Sequence, residues 1–438
     1  MPDKPLNILF MFADQMHAFA MGCMGNTEIK TPNLDRLASE GVLFKNCYSN
    51  APVCTPFRAT LVSGQYGSQT DTLRNCAYIP EGTRTLAAAL NDGGHRTSWV
   101  GKWHLGDKGN IAIRPELRAD FTDFIGYQCY NDFLHGVKFW DEDGAEHVYD
   151  HHRTDVTTDI AIERLGKVKN EPFAMFVSYQ NPHYPEQPAW RFEQMYKDTT
   201  LTRRPNASDV EPYTKTQSPP SPKPQENDPL YQKYGGDLDE YLRQYYAMVT
   251  QLDANVGRML DTLDELGIAD STVVIFTSDH GDMQGSQGAT NKGLPWEESC
   301  RIPLIVRAPD GVSGQVIDDL VSGVDYFATC LDYAGCAPEP TAEGDSFAPQ
   351  TMDAAAQPMN RAIYSEMQPW CMVREGDYKL VADKDPFELT HLFNLSKDPY
   401  ELTNLLGEAS TAAVQKDLQS KLESWYARVT AGESNIAH

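Results

Sequence analysis

The chain has 438 residues, of which 41% are hydrophobic and 10% aromatic, and its formal net charge is −25. This composition is typical of a globular protein with a large core and excludes an intrinsically disordered chain. The strong negative charge makes nucleic acid and anionic membrane surfaces poor partners, so an anionic substrate would need a local basic pocket.

Predicted strands and helices alternate along the first three quarters of the chain. Short apolar runs predict buried strands at 6–12, 97–103, 172–180, 271–278 and 302–309. Cap residues, glycine stops and helical spacing predict helices at 31–41, 85–94 and about 238–267. This alternation predicts an α/β fold with a doubly wound mixed sheet flanked by helices.

The pattern changes from about Arg361 onward. Short alternating runs with a turn at Gly376 predict an antiparallel sheet, and an amphipathic pattern predicts a closing helix over 411–429. We therefore divide the chain into a main α/β domain at 1–355 and a smaller C-terminal α+β subdomain at 356–438.

Two further segments bear on exposed loops and on localisation. The polar, Pro-rich stretch 216–229 predicts an excursion at about 200–235 without a core strand. The opening MPDKPLNILFMF has no charged region before a long apolar run, and no stretch reaches the length of a membrane span. We expect a cytoplasmic protein, or a periplasmic or secreted one if a leader has been trimmed. The nine cysteines lack a C-x-x-C spacing, which argues against a disulfide framework and a zinc site.

The stretch APVCTPFRATLVSGQY at 51–66 places a cysteine and an arginine at the start of a short helix. Pro56 at the first helical position and Gly64 just past the end bracket about two turns. Cys54 then lies at the positive end of the helix, where an anion is stabilised, and Arg58 lies near enough to help hold one.

Acidic side chains follow two of the predicted strands. Asp14 and Gln15 come directly after the first strand, and Asp279 and His280 come after a later one. Sites in open α/β sheets form beyond the carboxyl ends of strands, and carboxylate and amide oxygens suit a hard divalent cation. The alternative is that these aspartates are turn residues or helix caps.

The ordered motifs resemble those of the type I, formylglycine-dependent sulfatases of the alkaline phosphatase superfamily. CTPFR matches the C-x-P-x-R signature, and the tail MVREGDYKLV…HLFNLSKDPYELTNL resembles the family's C-terminal subdomain. The other matching segments, in chain order, are ADQ, GKWHLG at 101–106, NPHYP at 181–185, TSDHG and NKGLPWEESCRIPLIVRAP at 291–309. The resemblance implies an alkaline-phosphatase-like fold and a catalytic sulfatase domain at 1–355.

The same resemblance implies two cofactors. Cys54 matches the cysteine that is oxidised to formylglycine, whose hydrated form attacks sulfur and later expels sulfate. The implied ligands of one divalent metal ion are Asp14, Gln15, Cys54, Asp279 and His280. Calcium is the first choice because oxygen ligands are hard, while manganese or magnesium stay open because Gln15 replaces a common aspartate and His280 a common asparagine.

Five further residues match catalytic positions of the family. The resemblance implies that Arg58 fixes the formylglycine and that Lys102 and Lys292 contact the sulfate oxygens. His183 would act near the leaving oxygen as a general acid together with Lys292. His104 would remove a proton during breakdown of the covalent intermediate.

Each of these assignments has a simpler alternative. Lys102 and His104 alternate along an extended segment and share one face, but His104 alone would fit a buried imidazole bonded to a carbonyl. His183 would fit a surface histidine in a proline-flanked turn, and Lys292 a solvated lysine. The remaining motif-free histidines, including His152, are interpreted as surface residues.

The sequence thus predicts a sulfatase that hydrolyses a sulfate ester of a carbohydrate or another small organic molecule. A phosphonate monoester or phosphodiester hydrolase with the same site is the alternative. A non-catalytic relative that binds sulfate esters would require an unmodified Cys54. The implied partners are the small-molecule or oligosaccharide substrate and a formylglycine-generating maturation enzyme, and a homo-oligomer is left open.

Overall fold

The computed structural model describes residues 5–207 and 237–431 of the chain. The Pro-rich segment 216–229 lies outside the described residues, as does most of the predicted excursion. Across the two described ranges, no helix combines the length and the apolar character needed to cross a bilayer.

A mixed sheet of eleven strands forms the centre of the molecule. Its strands are β1 (Asn7–Asp14), β2 (Val42–Tyr48), β3 (Arg96–Lys102), β4 (Asp123–Tyr127), β5 (Val137–Trp140), β6 (Glu146–Tyr149), β7 (Phe173–Pro182), β8 (Thr272–Ser278), β9 (Arg301–Ile302), β10 (Leu304–Arg307) and β11 (Gln315–Ser322). Their order is β11-β2-β10-β8-β1-β7-β3-β4-β5-β6, with β9 paired to β2. The central strands β8, β1, β7, β3 and β4 are parallel, whereas β10 runs antiparallel to β8 and β2. This confirms the predicted mixed sheet.

Helices cover both faces of the sheet. The α-helices are α1 (Pro32–Glu40), α2 (Cys54–Ser63), α3 (Gly67–Thr70), α4 (Leu86–Asp92), α5 (Arg153–Val168), α6 (Trp190–Glu193), α7 (Leu238–Glu265), α8 (Glu297–Cys300), α9 (Asp325–Tyr333), α10 (Ala348–Met352) and α11 (Ala412–Thr430). Short 3-10 helices lie at Gly22–Met24, Pro115–Leu117, Ala269–Ser271 and Ala409–Thr411. One layer holds α1, α5 and α7, and the other holds α2, α4, α9 and α10.

Strand β1 shows why the sheet needs two helical layers. Leu9, Met11 and Ala13 belong to the core beneath α1, α5 and α7, while Phe10 and Phe12 belong to the opposite core. Because successive side chains of a strand point to opposite faces, a strand buried on both faces has an unbroken apolar run. This confirms the predicted doubly wound arrangement.

A second sheet forms the C-terminal part of the chain. Its four antiparallel strands follow in the order β12 (Ile363–Glu366), β13 (Trp370–Glu375), β14 (Tyr378–Lys384) and β15 (Phe387–Asn394). Leu418, Leu422, Trp425 and Val429 recur at helical spacing on α11 and share a core with this sheet. The predicted antiparallel sheet and closing helix are confirmed, and the boundary near residue 355 stays a prediction.

Several elements were not predicted, and β11, β2 and α5 show how weak their local signals are. Strand β11 contains Asp318 and Asp319 at an irregularity in its pairing with β2, and only its second half is buried. Only Gly41 separates strand β2 from α1, so the apolar residues that begin β2 cannot be distinguished by pattern from the end of that helix. Helix α5 carries β-branched residues in its first turns, which weaken a helical pattern.

Candidate active site

The candidate site lies where the carboxyl ends of four parallel strands meet. Asp14 ends β1, Lys102 ends β3, His183 follows β7 and Asp279 follows β8. Helix α2 brings Cys54 to the same point from the layer above the sheet. Residues far apart in sequence are therefore brought together at the edge where sites of such sheets form.

Four side chains converge on one centre and define what we call the strand-end cluster: Asp14, Cys54, Asp279 and His280. Their candidate ligand atoms all lie within 4.8 Å of one another, and all four residues are buried. His280 Nε2 lies 3.2 Å from Cys54 Sγ, 3.6 Å from Asp14 Oδ1 and 3.5 Å from Asp279 Oδ1. Atoms that present lone pairs to a common centre in this way can all coordinate one divalent cation placed between them.

The orientation of His280 supports this interpretation. Its Nδ1 lies 3.0 Å from the carbonyl oxygen of Gly281. A carbonyl can only accept, so Nδ1 carries the proton and Nε2 presents its lone pair to the cluster. Fixing the outer nitrogen of a histidine in this way is typical of metal ligands.

Arg58 ties the two carboxylates together. Its Nη2 lies 3.3 Å from Asp14 Oδ2 and 3.1 Å from Asp279 Oδ2, while Nη1 donates to the Lys102 carbonyl and to Ser178 Oγ. These bonds use the Oδ2 atoms and leave the Oδ1 atoms directed at His280. Burial, together with the charge of Asp14, raises the pKa of Asp279.

Lys102 is a second buried cation, and its ammonium pairs with Asp14 and lies 3.7 Å from Cys54 Sγ. Burial and Cys54 oppose ionisation of Asp14, but Lys102 and the neighbouring cations hold its pKa well below the usual range. Gly101 gives the lysine its position, because a Cβ there would lie 2.2 Å from the Ser178 carbonyl oxygen. A larger residue would separate β3 from β7.

Cys54 is fully buried and surrounded by positive charge. Burial acts to raise the pKa of its thiol, but the charges of Lys102 and Lys292 oppose burial, and the pKa lies well below the ordinary value. Helix α2 begins at Cys54 itself, so the prediction that Pro56 occupies the first helical position is wrong. The helix can begin earlier because Asn75 Oδ1 accepts from the Thr55 amide at 3.2 Å.

Lys292 approaches Cys54 from the opposite part of the chain. Its Nζ lies 3.3 Å from Cys54 Sγ and donates to Gln15 Oε1 at 2.8 Å. Gln15 lies beside the strand-end cluster, and its Nε2 donates to Asp282 Oδ2 at 2.6 Å. Lys292 is thus directed at the site and is not a freely solvated lysine.

His104 lies next to Cys54, but its backbone differs from the prediction. Its φ of 56° is left-handed, so the segment is not extended at His104, but the imidazole and the Lys102 ammonium both reach Cys54. The carbonyl of His104 accepts from Thr55 Oγ1 at 2.6 Å, which anchors this turn to α2. Burial and Lys102 oppose protonation of the imidazole, but the sulfurs of Cys129 and Cys54 raise its pKa to about 10.

His183 is buried, which excludes the surface alternative. Its Nδ1 is hydrogen-bonded to the carbonyl of Tyr184, so Nδ1 carries a proton. Burial and Lys292 lower the pKa of His183 to about 4, which leaves the imidazole neutral near pH 7. Of the two, Lys292 is therefore the group that carries a transferable positive charge beside Cys54.

The sequence did not identify three residues that take part in this arrangement. Cys129 lies close enough to Lys102 and His104 for them to outweigh burial and lower its pKa to about 7. Asp282 and Tyr241 are hydrogen-bonded to each other behind Gln15. The aspartate ends the run SDHGD and offered a signal, whereas a lone cysteine and a helical tyrosine offered none.

Two residues outside the cluster are buried, and one of them corrects an earlier interpretation. His152 is buried and caps α5 by accepting from the Thr154 amide at 3.1 Å, so the prediction that it is a surface residue is wrong. Trp370 of β13 is also buried, and its indole donates to the Gly293 carbonyl at 2.9 Å. The C-terminal sheet therefore supports the loop that carries Lys292.

Comparison with known families gives two matches that together span most of the chain. The model described as "Sulfatase" matches residues 6–336. The model described as "N-sulphoglucosamine sulphohydrolase, C-terminal" matches residues 285–428.

Individual relatives agree with these matches. An N-acetylglucosamine-6-O-sulfatase of Bacteroides thetaiotaomicron is 28% identical over an alignment of 487 positions, gaps included. The alignment covers 96% of this chain and 86% of that protein. A solved structure in complex with its substrate D-glucosamine-2-N,6-O-disulfate is 25% identical with a TM-score of 0.83, and the match covers 100% of both chains. The phosphonate monoester hydrolase of Agrobacterium radiobacter has a TM-score of 0.78 at 24% identity, covering 98% of this chain and 97% of that one, and shows a shared fold.

Proposed function

The chain belongs to the sulfatase family, and from that premise we propose that it hydrolyses a sulfate ester of a carbohydrate at the strand-end cluster. The reaction class, hydrolysis of a sulfuric ester, follows from the family and its named relatives. The observation that carries the proposal is the convergence of Asp14, Cys54, Asp279 and His280 within 4.8 Å, beside the buried Lys102 and the half-buried Lys292.

We assign the first choice of substrate to sulfated amino sugars. The relative matched over 96% of this chain is named for N-acetylglucosamine 6-O-sulfate, and a structural neighbour binds a disulfated glucosamine. A sulfate ester carries an anionic group, and in an overall acidic chain Lys102 and Lys292 supply the local positive charge that such a group needs.

The cluster fits one divalent cation. Two carboxylate oxygens and one imidazole nitrogen whose outer atom is already fixed form a mixed hard donor set, with position 54 completing it. Gln15, the fifth implied ligand, stays a prediction, and its Oε1 accepts from Lys292 in this structure. We propose calcium, with manganese as the alternative because of the imidazole. When bound, such a cation supplies Lewis-acid polarisation and lowers the pKa of the nucleophile.

The side chains of this chain would divide the remaining work. Arg58 holds Asp14 and Asp279 in place through their Oδ2 atoms. Lys102 and Lys292 flank position 54 at 3.7 Å and 3.3 Å and would stabilise the negative charge that develops on sulfuryl oxygens. Lys292 can also protonate the leaving oxygen, with His183 next to it.

Position 54 requires a modification for this chemistry, because a thiol cannot supply the two hydroxyls of a geminal diol. We propose that a maturation enzyme oxidises Cys54 to formylglycine. The side chain of Cys54 has an exposed fraction of 0% in the folded protein. The maturation enzyme must therefore reach the segment before the chain has folded around it.

The test compares sulfur and phosphorus esters on one preparation. The chain is produced together with a formylglycine-generating enzyme, and release of inorganic sulfate is measured from sulfated mono- and disaccharides, glucosamine 6-O-sulfates first. Phenylphosphonate and a phosphodiester are assayed as alternative substrates on the same preparation, and Cys54→Ala serves as the inactive control. We expect higher kcat/KM on a sulfated sugar; a far higher kcat/KM on the phosphorus esters would overturn the proposal.

A further inference from the structure

The ammonium of the half-buried Lys292 is the last member of a hydrogen-bond chain whose other members are buried. Lys292 Nζ donates to Gln15 Oε1 at 2.8 Å, and Gln15 Nε2 donates to Asp282 Oδ2 at 2.6 Å. Tyr241 on α7 donates its hydroxyl to the same Oδ2 at 2.5 Å. Gln15, Asp282 and Tyr241 are all buried, so water does not compete freely for these bonds.

Opposite charges fix the orientation of the Gln15 amide. Its oxygen faces the Lys292 ammonium, which can only donate, and its nitrogen faces the Asp282 carboxylate, which can only accept. Turning the amide over would place oxygen against carboxylate and nitrogen against ammonium. The backbone of Gln15 is held too, because its amide donates to Asp279 Oδ1 and its carbonyl accepts from Tyr245.

Asp282 is itself fixed from several parts of the chain. Its Oδ1 accepts from the Gln284 amide at 3.0 Å, while its Oδ2 accepts from Gln15 and Tyr241. The donors come from the residue after β1, from α7 and from the loop after β8, so the position of the carboxylate is determined by tertiary structure. The Gln15 side chain links Asp282 to Lys292, whose ammonium lies beside Cys54.

We propose that Asp282 is a positioning residue for sulfate ester hydrolysis: it orients the Gln15 amide, which in turn holds the Lys292 ammonium 3.3 Å from Cys54 Sγ. This inference rests on the proposed role of Lys292 at the sulfuryl group. Without the carboxylate, the amide loses the charge that orients it, and Lys292 loses its fixed acceptor. Tyr241 supports the same carboxylate from α7.

The first experiment compares Asp282→Asn with a matched control. We expect Asp282→Asn to lower kcat for an aryl sulfate by roughly 10–100-fold, the range typical of outer partners of a site. Asp253→Asn is the control, because Asp253 is also buried and accepts from the Asn33 and Leu34 amides at the start of α1. We expect the control to lower the melting temperature and leave kcat near wild type.

The second experiment separates positioning from a general structural effect. Asp282→Asn is measured alone and in a Lys292→Ala background, and each variant is also titrated with inorganic sulfate by calorimetry. If Asp282 acts through Lys292, its substitution weakens turnover and sulfate binding in the wild-type background but adds almost nothing once Lys292 is absent. Equal losses in both backgrounds would overturn the inference.

The outcomes also separate this inference from the proposed function. Wild-type turnover and sulfate affinity in Lys292→Ala would contradict the role of Lys292 and remove the basis of the inference. A defective Lys292→Ala with an unaffected Asp282→Asn would contradict the inference alone. Should Asp282→Asn fail to fold, Tyr241→Phe replaces it in the same cycle, with a smaller loss expected in the wild-type background and none beside Lys292→Ala.

Discussion

Two buried clusters in this molecule each contain a pair of carboxylates but arrange the groups around them differently. One is the strand-end cluster at the main sheet. The other, which we call the junction cluster, consists of Glu297 on α8, Lys379 on β14 and Glu401 beyond β15. All three of its residues are buried, and they join the main sheet to the C-terminal one.

The junction cluster alternates donors and acceptors. Lys379 lies between two carboxylates: it pairs with Glu401 and lies 3.0 Å from Glu297 Oε1. Tyr48 donates to Glu297 Oε2 at 2.6 Å, and the Glu297 amide donates to Glu401 Oε2 at 2.8 Å. Carboxylates arranged in this way have their own positive and polar partners and need no ion.

The strand-end cluster instead points acceptors at acceptors. The Oδ1 atoms of Asp14 and Asp279 both face the unprotonated nitrogen of His280, and Arg58 and Lys102 bind from outside this centre. The comparison shows that a site for an ion is distinguished from a structural ion pair by where the acceptor atoms point: at one another in the first case, at donors in the second. The following predictions test that distinction, from the largest expected effect to the smallest.

The largest effect is expected at position 54. Cys54→Ala removes the precursor of the nucleophile, so we expect kcat to fall on the order of 10⁴-fold or more with little change in melting temperature. Cys330→Ala is the matched control, because Cys330 is also buried but lies in the apolar core above the sheet. It should cost about 1 kcal/mol of stability and leave kcat unchanged. Near wild-type turnover in Cys54→Ala would remove the covalent mechanism.

Breaking the junction cluster should have the opposite signature. Lys379→Met leaves Glu297 buried without the cation that lies 3.0 Å from its Oε1, so we expect the free energy of unfolding to fall by roughly 3–5 kcal/mol. Below the melting transition, kcat should change by only a few-fold. Urea unfolding and steady-state kinetics on the same preparation measure both quantities. A large loss of kcat with unchanged stability would contradict the assignment of a purely structural role to the junction cluster.

The junction cluster should also respond to pH. Burial, with Glu297 and Glu298, outweighs Lys379 and raises the pKa of Glu401 from its ordinary value of 4.5 to about 8. The folded state therefore binds the Glu401 proton more tightly than the unfolded state does. Protonated Glu401 thus adds to the free energy of unfolding in full below pH 4.5, and this stabilisation is lost as the pH rises through 8.

Glu401→Gln tests this dependence because the amide cannot titrate. The difference in unfolding free energy between wild type and Glu401→Gln should change between pH 4.5 and pH 8, with wild type losing at most about 1.4 kcal/mol per pH unit. Denaturant unfolding at several pH values measures the difference. Parallel curves for the two proteins would contradict the assignment to Glu401.

The two clusters also differ in how far the sequence predicts them. Asp14 and Asp279 could be found because carboxylates that follow buried parallel strands must meet at one edge of the sheet, and CTPFR marked Cys54 and Arg58. The junction cluster had no such rule: Glu297 and Lys379 lie 82 residues apart and meet only through packing of two separate sheets.

The same reasoning explains what was missed at the active site. The partners of Gln15, and the approach of Cys129 to His104, depend on side-chain directions in loops that no periodicity describes. The start of α2 was predicted too late, at Pro56, because the side chain of Asn75 in another loop accepts from the Thr55 amide and allows the helix to begin at Cys54.

The central claim is that the strand-end cluster binds one divalent cation, and calorimetric titration of the metal-stripped protein with calcium or manganese tests it most directly. We predict saturable binding of one ion per chain, with about 2.7 kcal/mol of added stability at a free cation concentration 100 times the Kd. Asp279→Asn should abolish the binding while remaining folded. Absence of saturable binding to wild type, or equal binding by Asp279→Asn, would contradict the account.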